Sequence, residues 1–318
     1  MSRIFVFPGQ GSQTIGMGRD LAAAFPTARA VFQEVDDTLN QKLFALMCDG
    51  PESDLNLTEN TQPALMAVSV AVLRVILEQS GKSLPALCSH VAGHSLGEYS
   101  ALCAAGALTL ADTARLLKTR GQAMQRAVPV GVGAMAAILG LDLPDVQKIA
   151  DEARIQVNNG ETVEAANDNS SGQVVVSGHA AAVNAACTLA TARGAKRAVL
   201  LPVSAPFHST LMQPAADAMR AALAHVTMND PIVPVIANVT AQAEQHADTI
   251  RDLLVRQVTG MVRWRESVMT MKNLGITDGV ELGSGKVLCG LMKRIEPQIS
   301  TMNAGTPSEI EAVLKALG

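Results

Sequence analysis

Leu87-Cys88-Ser89-His90-Val91-Ala92-Gly93-His94-Ser95-Leu96-Gly97 joins a short apolar run, a glycine-flanked turn and the start of a helical pattern. Residues 87–92 predict a strand and residues from about 96 a helix, the setting that a G-x-S-x-G nucleophile elbow requires. The two glycines let the chain turn sharply, so Ser95 would project its hydroxyl from the end of a sheet. The helix behind it points N–H groups and a partial positive charge at the same spot. Strand and helix alternate on either side. Residues 3–7 predict a strand, followed by the Gly-rich loop 9–13. Residues 63–79 predict a helix with proline in its first turn. Residues 109–127 predict another, with Leu116 and Leu117 inward and Arg115, Lys118 and Arg120 elsewhere. This order predicts an α/β fold whose mainly parallel sheet is covered by helices.

The middle of the chain reads differently. Strand 134–139, helix 144–153, strands 162–166 and 173–177 joined by a polar turn, helix 180–192 and strand 197–201 follow one another. The order β-α-β-β-α-β is that of a ferredoxin-like unit. A small subdomain at 128–201 is therefore expected as an insertion in a larger domain formed by 1–127 and 202–318. Strand and helix then resume at 233–238, 249–258, 278–282 and 286–294.

A serine hydroxyl attacks poorly until a base takes its proton. Of six histidines, His94 is adjacent to Ser95 on a sharp turn, where neighbouring side chains diverge. His208 lies in Val203-Ser204-Ala205-Pro206-Phe207-His208-Ser209, just past an apolar strand, in a loop stiffened by two prolines. A rigid loop at a strand end is where a base should be held. No acidic third member stands out, and a backbone carbonyl can fix an imidazole tautomer equally well. The expectation is a Ser95–His208 dyad.

Composition narrows the chemistry. The chain has 318 residues, 48% of them hydrophobic, and a net charge of −4, without any basic stripe of the kind nucleic acid needs. Aromatics make up 3%, which argues against base-stacking platforms. No stretch reads as the roughly 20 apolar residues of a membrane span. Five cysteines without CxxC pairing read as reduced, buried hydrophobes, and a cytoplasmic location is expected. Gly9-Gln10-Gly11-Ser12-Gln13-Thr14 lacks the third glycine of a dinucleotide fingerprint, and Gly283-Ser284-Gly285-Lys286-Val287 lacks the P-loop's upstream glycine and its Ser or Thr. Both are expected to border a cleft at strand ends.

Taken together, Phe7-Pro8-Gly9-Gln10-Gly11-Ser12-Gln13, Thr61-Gln62-Pro63-Ala64, Gly93-His94-Ser95-Leu96-Gly97-Glu98-Tyr99 and Pro206-Phe207-His208-Ser209 resemble the malonyl-CoA:acyl carrier protein transacylase family. The likeness runs from about residue 4 to the last helix. It implies a hydrolase-like core with an inserted ferredoxin-like subdomain, no cofactor and no metal. It also implies transfer of malonyl from malonyl-CoA to acyl carrier protein through an ester on Ser95, with His208 as general base and acid. Backbone N–H groups of Gln10 and Leu96 would form the oxyanion hole, and Arg120 would grip the free malonyl carboxylate. Gln257 would help fix His208, Asn169 would face the cleft, and Met124 and Phe207 would line the pocket. The chain departs from the family at Thr259-Gly260-Met261-Val262-Arg263-Trp264 and Gly283-Ser284-Gly285, departures expected to affect loop rigidity more than catalysis. A stand-alone enzyme of type II fatty-acid synthesis is the leading reading. Polyketide or malonate-decarboxylase service, a serine hydrolase and a non-catalytic carrier-docking protein are the alternatives. Since such carriers are acidic and this chain's net charge is negative, docking is expected at local cations, with Lys286, Lys293 and Arg294 as candidates.

Overall fold

Strand β1 (Arg3–Phe7) is buried along Ile4-Phe5-Val6-Phe7, as a strand covered on both faces must be. It pairs in parallel with β2 (His90–Gly93) on one side and β9 (Asp278–Leu282) on the other. β10 (Ser300–Ala304) extends the sheet beyond β9 and β7 (Val235–Ile236) beyond β2, both in parallel, while β8 (Ala243–Glu244) closes the edge antiparallel. The order β10-β9-β1-β2-β7-β8 sets the carboxyl ends of β1, β2 and β7 side by side. That is where open α/β sheets collect ligands. This computed structural model describes residues 2–203 and 205–317. Met1 and Gly318, at the ends of the expected larger domain, and Ser204, in the loop before His208, lie outside the described residues.

A separate antiparallel sheet holds β3 (Gly133–Leu139), β4 (Val163–Ser170), β5 (Gln173–His179) and β6 (Arg197–Leu200) in the order β4-β5-β3-β6. Helices Leu143–Val157 and Ala180–Ala192 share a core with it that includes Ile138, Ile149, Val174 and Val183. β4 also reaches the main body. Val262 N–H donates to Ala166 O at 2.9 Å, Asp168 N–H donates to Val262 O at 3.0 Å, and Arg265 Nε donates to Asp168 Oδ2 at 2.8 Å.

Several sequence expectations shift. The helix expected from 63 spans Thr58–Ser80, with Pro63 inside it. Its first turn is held by side chains: Asn60 Nδ2 donates to Asp54 O and Thr61 Oγ1 to Leu55 O, which offsets the bond proline cannot make. By length and composition this helix could cross a membrane, but 89% of its apolar window is buried in protein, so its hydropathy serves the core. Leu87 ends a short helix (Leu84–Leu87) and the strand starts only at His90. The turn expected at 167–172 shrinks to Ser171-Gly172, with Gly172 at φ 69°, because β4 continues through Ser170. The strand expected at 233–238 keeps two residues. Pro234 has no N–H to donate, and the Asn238 N–H is given to Glu98 Oε2 at 3.1 Å instead of to a strand. Helices Arg19–Ala24, Pro26–Leu39, Gln213–Ala224 and Trp264–Asn273 escaped the sequence reading.

Candidate active site

The elbow is built on missing side chains. A Cβ on Gly93 would lie 1.9 Å from Gly97 O, and one on Gly97 would lie 2.2 Å from Phe7 O. Only glycine lets the Leu96–Ala104 helix start this close to β1 and β2. Between them Ser95 takes φ 53°, ψ −110°, a conformation that surrounding bonds must hold. Asn238 holds it: its Oδ1 accepts from Ser95 N at 2.7 Å and its Nδ2 donates to Gly93 O at 2.7 Å.

His208 arrives from the loop after β6, itself at φ 57°, with Ser209 Oγ donating to Pro206 O at 2.8 Å. Its Nε2 lies 2.8 Å from Ser95 Oγ. Its Nδ1 lies 2.9 Å from Gln257 O and 3.1 Å from Gly260 O, both acceptors, so Nδ1 carries the proton and the Nε2 lone pair faces the serine. The orienting partners are thus backbone carbonyls, the option left open when no acid stood out. Burial first, and the Arg120 charge second, push the imidazole down to about 3, so it is neutral at physiological pH. Gly260 belongs to the departing segment 259–264, so that loop reaches the His208 ring.

Arg120, read from the sequence as lying elsewhere than inward, is 2% exposed. Gly121 brings its helix (Leu110–Arg126) onto the first turn of Thr58–Ser80, where an added Cβ would stand 2.4 Å from Glu59 Cα. The guanidinium lies 5.7 Å from the centre of the Tyr99 ring. Nη1 donates to Gln62 Oε1 at 2.8 Å, and Nη2 donates to Gln257 Oε1 at 2.9 Å and to Ser95 Oγ at 3.1 Å. Among the described residues Nε has no hydrogen-bond partner and no carboxylate pairs with this charge. A buried cation beside a serine hydroxyl, hydrogen-bonded only to neutral groups, has the chemistry to take an anion.

These groups open on a cavity of about 380 Å³ between the two sheets. Gln10, Leu96, Met124, Asn169 and Phe207 line it together with Ser95, Arg120 and His208. Among the described residues the Gln10 and Leu96 N–H groups donate to no protein acceptor. Asn169 Oδ1 lies 2.9 Å from His94 Nε2, which turns His94 away from Ser95. Gln257 stands behind the cavity, fully buried. The 9–13 loop borders this cavity, whereas Ser284, Gly285 and Lys286 border a different one of about 540 Å³. Lys286 and Lys293 are exposed, and Arg294 donates to Gln173 Oε1 at 2.9 Å. Among the described residues no cluster of His, Cys, Asp and Glu could hold a metal ion. The sequence reading did not assign Gln62, Glu98, Asn238 or Gly260. Gln62 and Glu98 lie in quoted motifs, but nothing in the sequence says what they touch.

The family model described as "acyl transferase domain" matches residues 4–296. The chain belongs to this acyl transferase domain family. Within it, the chain is 49% identical over 311 residues to the malonyl CoA-acyl carrier protein transacylase of Escherichia coli (strain K12), covering 98% of both. Its fold superposes on the acyl-carrier-protein-S-malonyltransferase of Bartonella henselae with a TM-score of 0.96, at 55% identity and 100% coverage of both chains. It also superposes, with a TM-score of 0.95 and 44% identity over 99% of this chain and 100% of that one, on a malonyl-transacylase solved in complex with its type II PKS acyl-carrier protein. The resemblance first seen in scattered motifs therefore extends over the whole acyl transferase domain.

Proposed function

We propose that this acyl transferase moves malonyl from malonyl-CoA to the phosphopantetheine thiol of an acyl carrier protein, in a ping-pong reaction through a malonyl ester on Ser95. One observation carries the reading: Ser95 Oγ lies 2.8 Å from a neutral, oriented imidazole and 3.1 Å from a buried guanidinium without a carboxylate. Ser95 Oγ attacks the thioester carbon while its proton passes to His208 Nε2. The C–S bond then breaks and that proton leaves on the CoA sulfur. In the second half-reaction the carrier thiol gives its proton to Nε2, its sulfur bonds to the acyl carbon, and the proton returns to Ser95 as the ester opens. The free N–H groups of Gln10 and Leu96 would hold the oxyanion in both halves. No cofactor enters any step. Phe207, beside the base, would crowd an α-methyl branch and favour malonyl.

The enzyme carries a ferredoxin-like insertion at 128–201 in a hydrolase-like body at 1–127 and 202–318, and works in the cytoplasm. The β-α-β-β-α-β order of the second sheet and its separate core support the insertion. Intact mass measurement after mixing with malonyl-CoA tests the reaction. A malonyl increment that a phosphopantetheinylated carrier discharges is expected, and a protein that stays unmodified would refute the reading.

Arg120→Ala should slow malonyl loading by on the order of 10- to 100-fold, the worth of a charge-assisted hydrogen bond. Acetyl loading, with no carboxylate to hold, should fall less, and equal losses would show that Arg120 is not the clamp. Lys286 stands just before the helix Val287–Ile295 and Lys293 in its last turn, both exposed. Reversing both charges should raise the KM for the carrier and leave malonyl-CoA loading intact. Unchanged carrier kinetics would move the docking face elsewhere.

A further inference from the structure

Glu98 is 1% exposed, and among the described residues no cation is hydrogen-bonded to it. Burying a carboxyl in this way costs several kcal/mol, so stability alone is a poor reason for it. Its Oε2 accepts from Gln257 Nε2 at 2.8 Å and from Asn238 N at 3.1 Å. Those two residues hold the two halves of the site. Asn238 bonds both sides of the Ser95 turn, and Gln257 Oε1 accepts from Arg120 Nη2.

The orientation of the Gln257 amide is the critical point, because a glutamine amide turns whichever way its partners dictate. Here Nε2 spends both hydrogens on acceptors, Ser95 O at 3.0 Å and Glu98 Oε2, which leaves Oε1 toward Arg120. A flipped amide would set N–H against guanidinium and carbonyl against carboxylate, repulsive at both ends. An ionised carboxylate accepts only, so it enforces one orientation. The amide between them also keeps Glu98 from pairing directly with Arg120. A direct pair would turn the guanidinium away from the cavity and neutralise it.

We infer that Glu98 is a positioning residue: by locking the Gln257 amide it aims Arg120 into the cavity and sets the preference for acyl thioesters that carry a free carboxylate. This rests on the malonyl-transfer reading above. Burial pushes the Glu98 carboxyl up to about 7, against the opposing pull of Gln257, Asn238 N–H and Arg120, so the ionised form stays accessible at neutral pH.

The experiment compares single-turnover loading by malonyl-CoA and by acetyl-CoA. Glu98→Leu removes the acceptor and should lower the malonyl-to-acetyl rate ratio about tenfold, a coupling typical of residues in one network. Glu98→Gln, which offers an amide oxygen at the same place, should keep the ratio within about threefold. In a Gln257→Ala background the Glu98→Leu effect on the ratio should vanish. Should Glu98→Leu fail to fold, Glu98→Asp keeps the charge, withdraws the acceptor by one methylene and should also lower the ratio. A folded Glu98→Leu or Glu98→Asp protein with the wild-type ratio, or a drop that persists without Gln257, would show a merely structural residue. A wild-type protein that takes up no malonyl would overturn the proposed function, and this inference with it. Normal wild-type loading with an unmoved ratio overturns the inference alone.

Discussion

Ser95→Ala is expected to take up no malonyl from malonyl-CoA and to lose transfer activity by at least about 10⁴-fold, as enzymes stripped of their nucleophile do. Among the described residues the hydroxyl hydrogen-bonded to His208 Nε2 is Ser95 Oγ. The substitution leaves the rest of the site in place. Arg120 keeps Gln62 and Gln257, His208 keeps both carbonyls, and alanine fits the strained turn as readily as serine. The melting temperature should therefore match or exceed the wild type. Mass spectrometry of the malonyl-CoA mixture decides the matter: a malonyl increment on Ser95→Ala would place the nucleophile elsewhere.

His208→Ala should slow loading by about 10²- to 10⁴-fold, the usual worth of a general base. The pH profile separates this role from a structural one. With its imidazole held near 3 by burial and by Arg120, His208 stays neutral while an ordinary histidine would protonate. Wild-type loading from acetyl-CoA, which does not draw on the Glu98-held arginine, should accordingly vary little as pH falls from about 6.5 to about 5. A steep loss across that range would mean that water reaches the ring. Folding stability carries the same sign. The unfolded histidine takes up a proton below about 6.5 and the folded one resists, so stability is full above that pH and is lost as pH falls toward 3. His208→Ala should lose less stability over that window, as chemical denaturation at each pH will show.

Much of the site was legible because some constraints are local. Gly93-His94-Ser95-Leu96-Gly97 had to turn sharply, and the contacts that each glycine's missing Cβ avoids, with Gly97 O and Phe7 O, explain why those two positions cannot carry a side chain. The proline-flanked loop around His208 was legible for the same reason, since its stiffness is written in adjacent residues. Arg120 was harder. On its helix it looks like one more charge among Arg115 and Lys118, and its inward turn depends on Gly121 meeting Glu59 from another helix. Glu98 sat in a quoted motif without a role, because its partners Asn238 and Gln257 are 140 and 159 residues away. Strand lengths failed where a distant group competed for the backbone, as Glu98 does for the Asn238 N–H past the end of β7.

From the order of residues alone followed the α/β alternation, the Ser95 elbow, the candidate base and the exclusion of nucleotide-loop chemistry. All of these rest on bond geometry and periodicity within a few neighbouring residues. Folding settled which charge faces the serine, which carbonyls meet the His208 ring and which amide meets Arg120. Each of those depends on groups far apart in the chain, brought within 3.1 Å of one another by a sheet and helices that no short segment encodes.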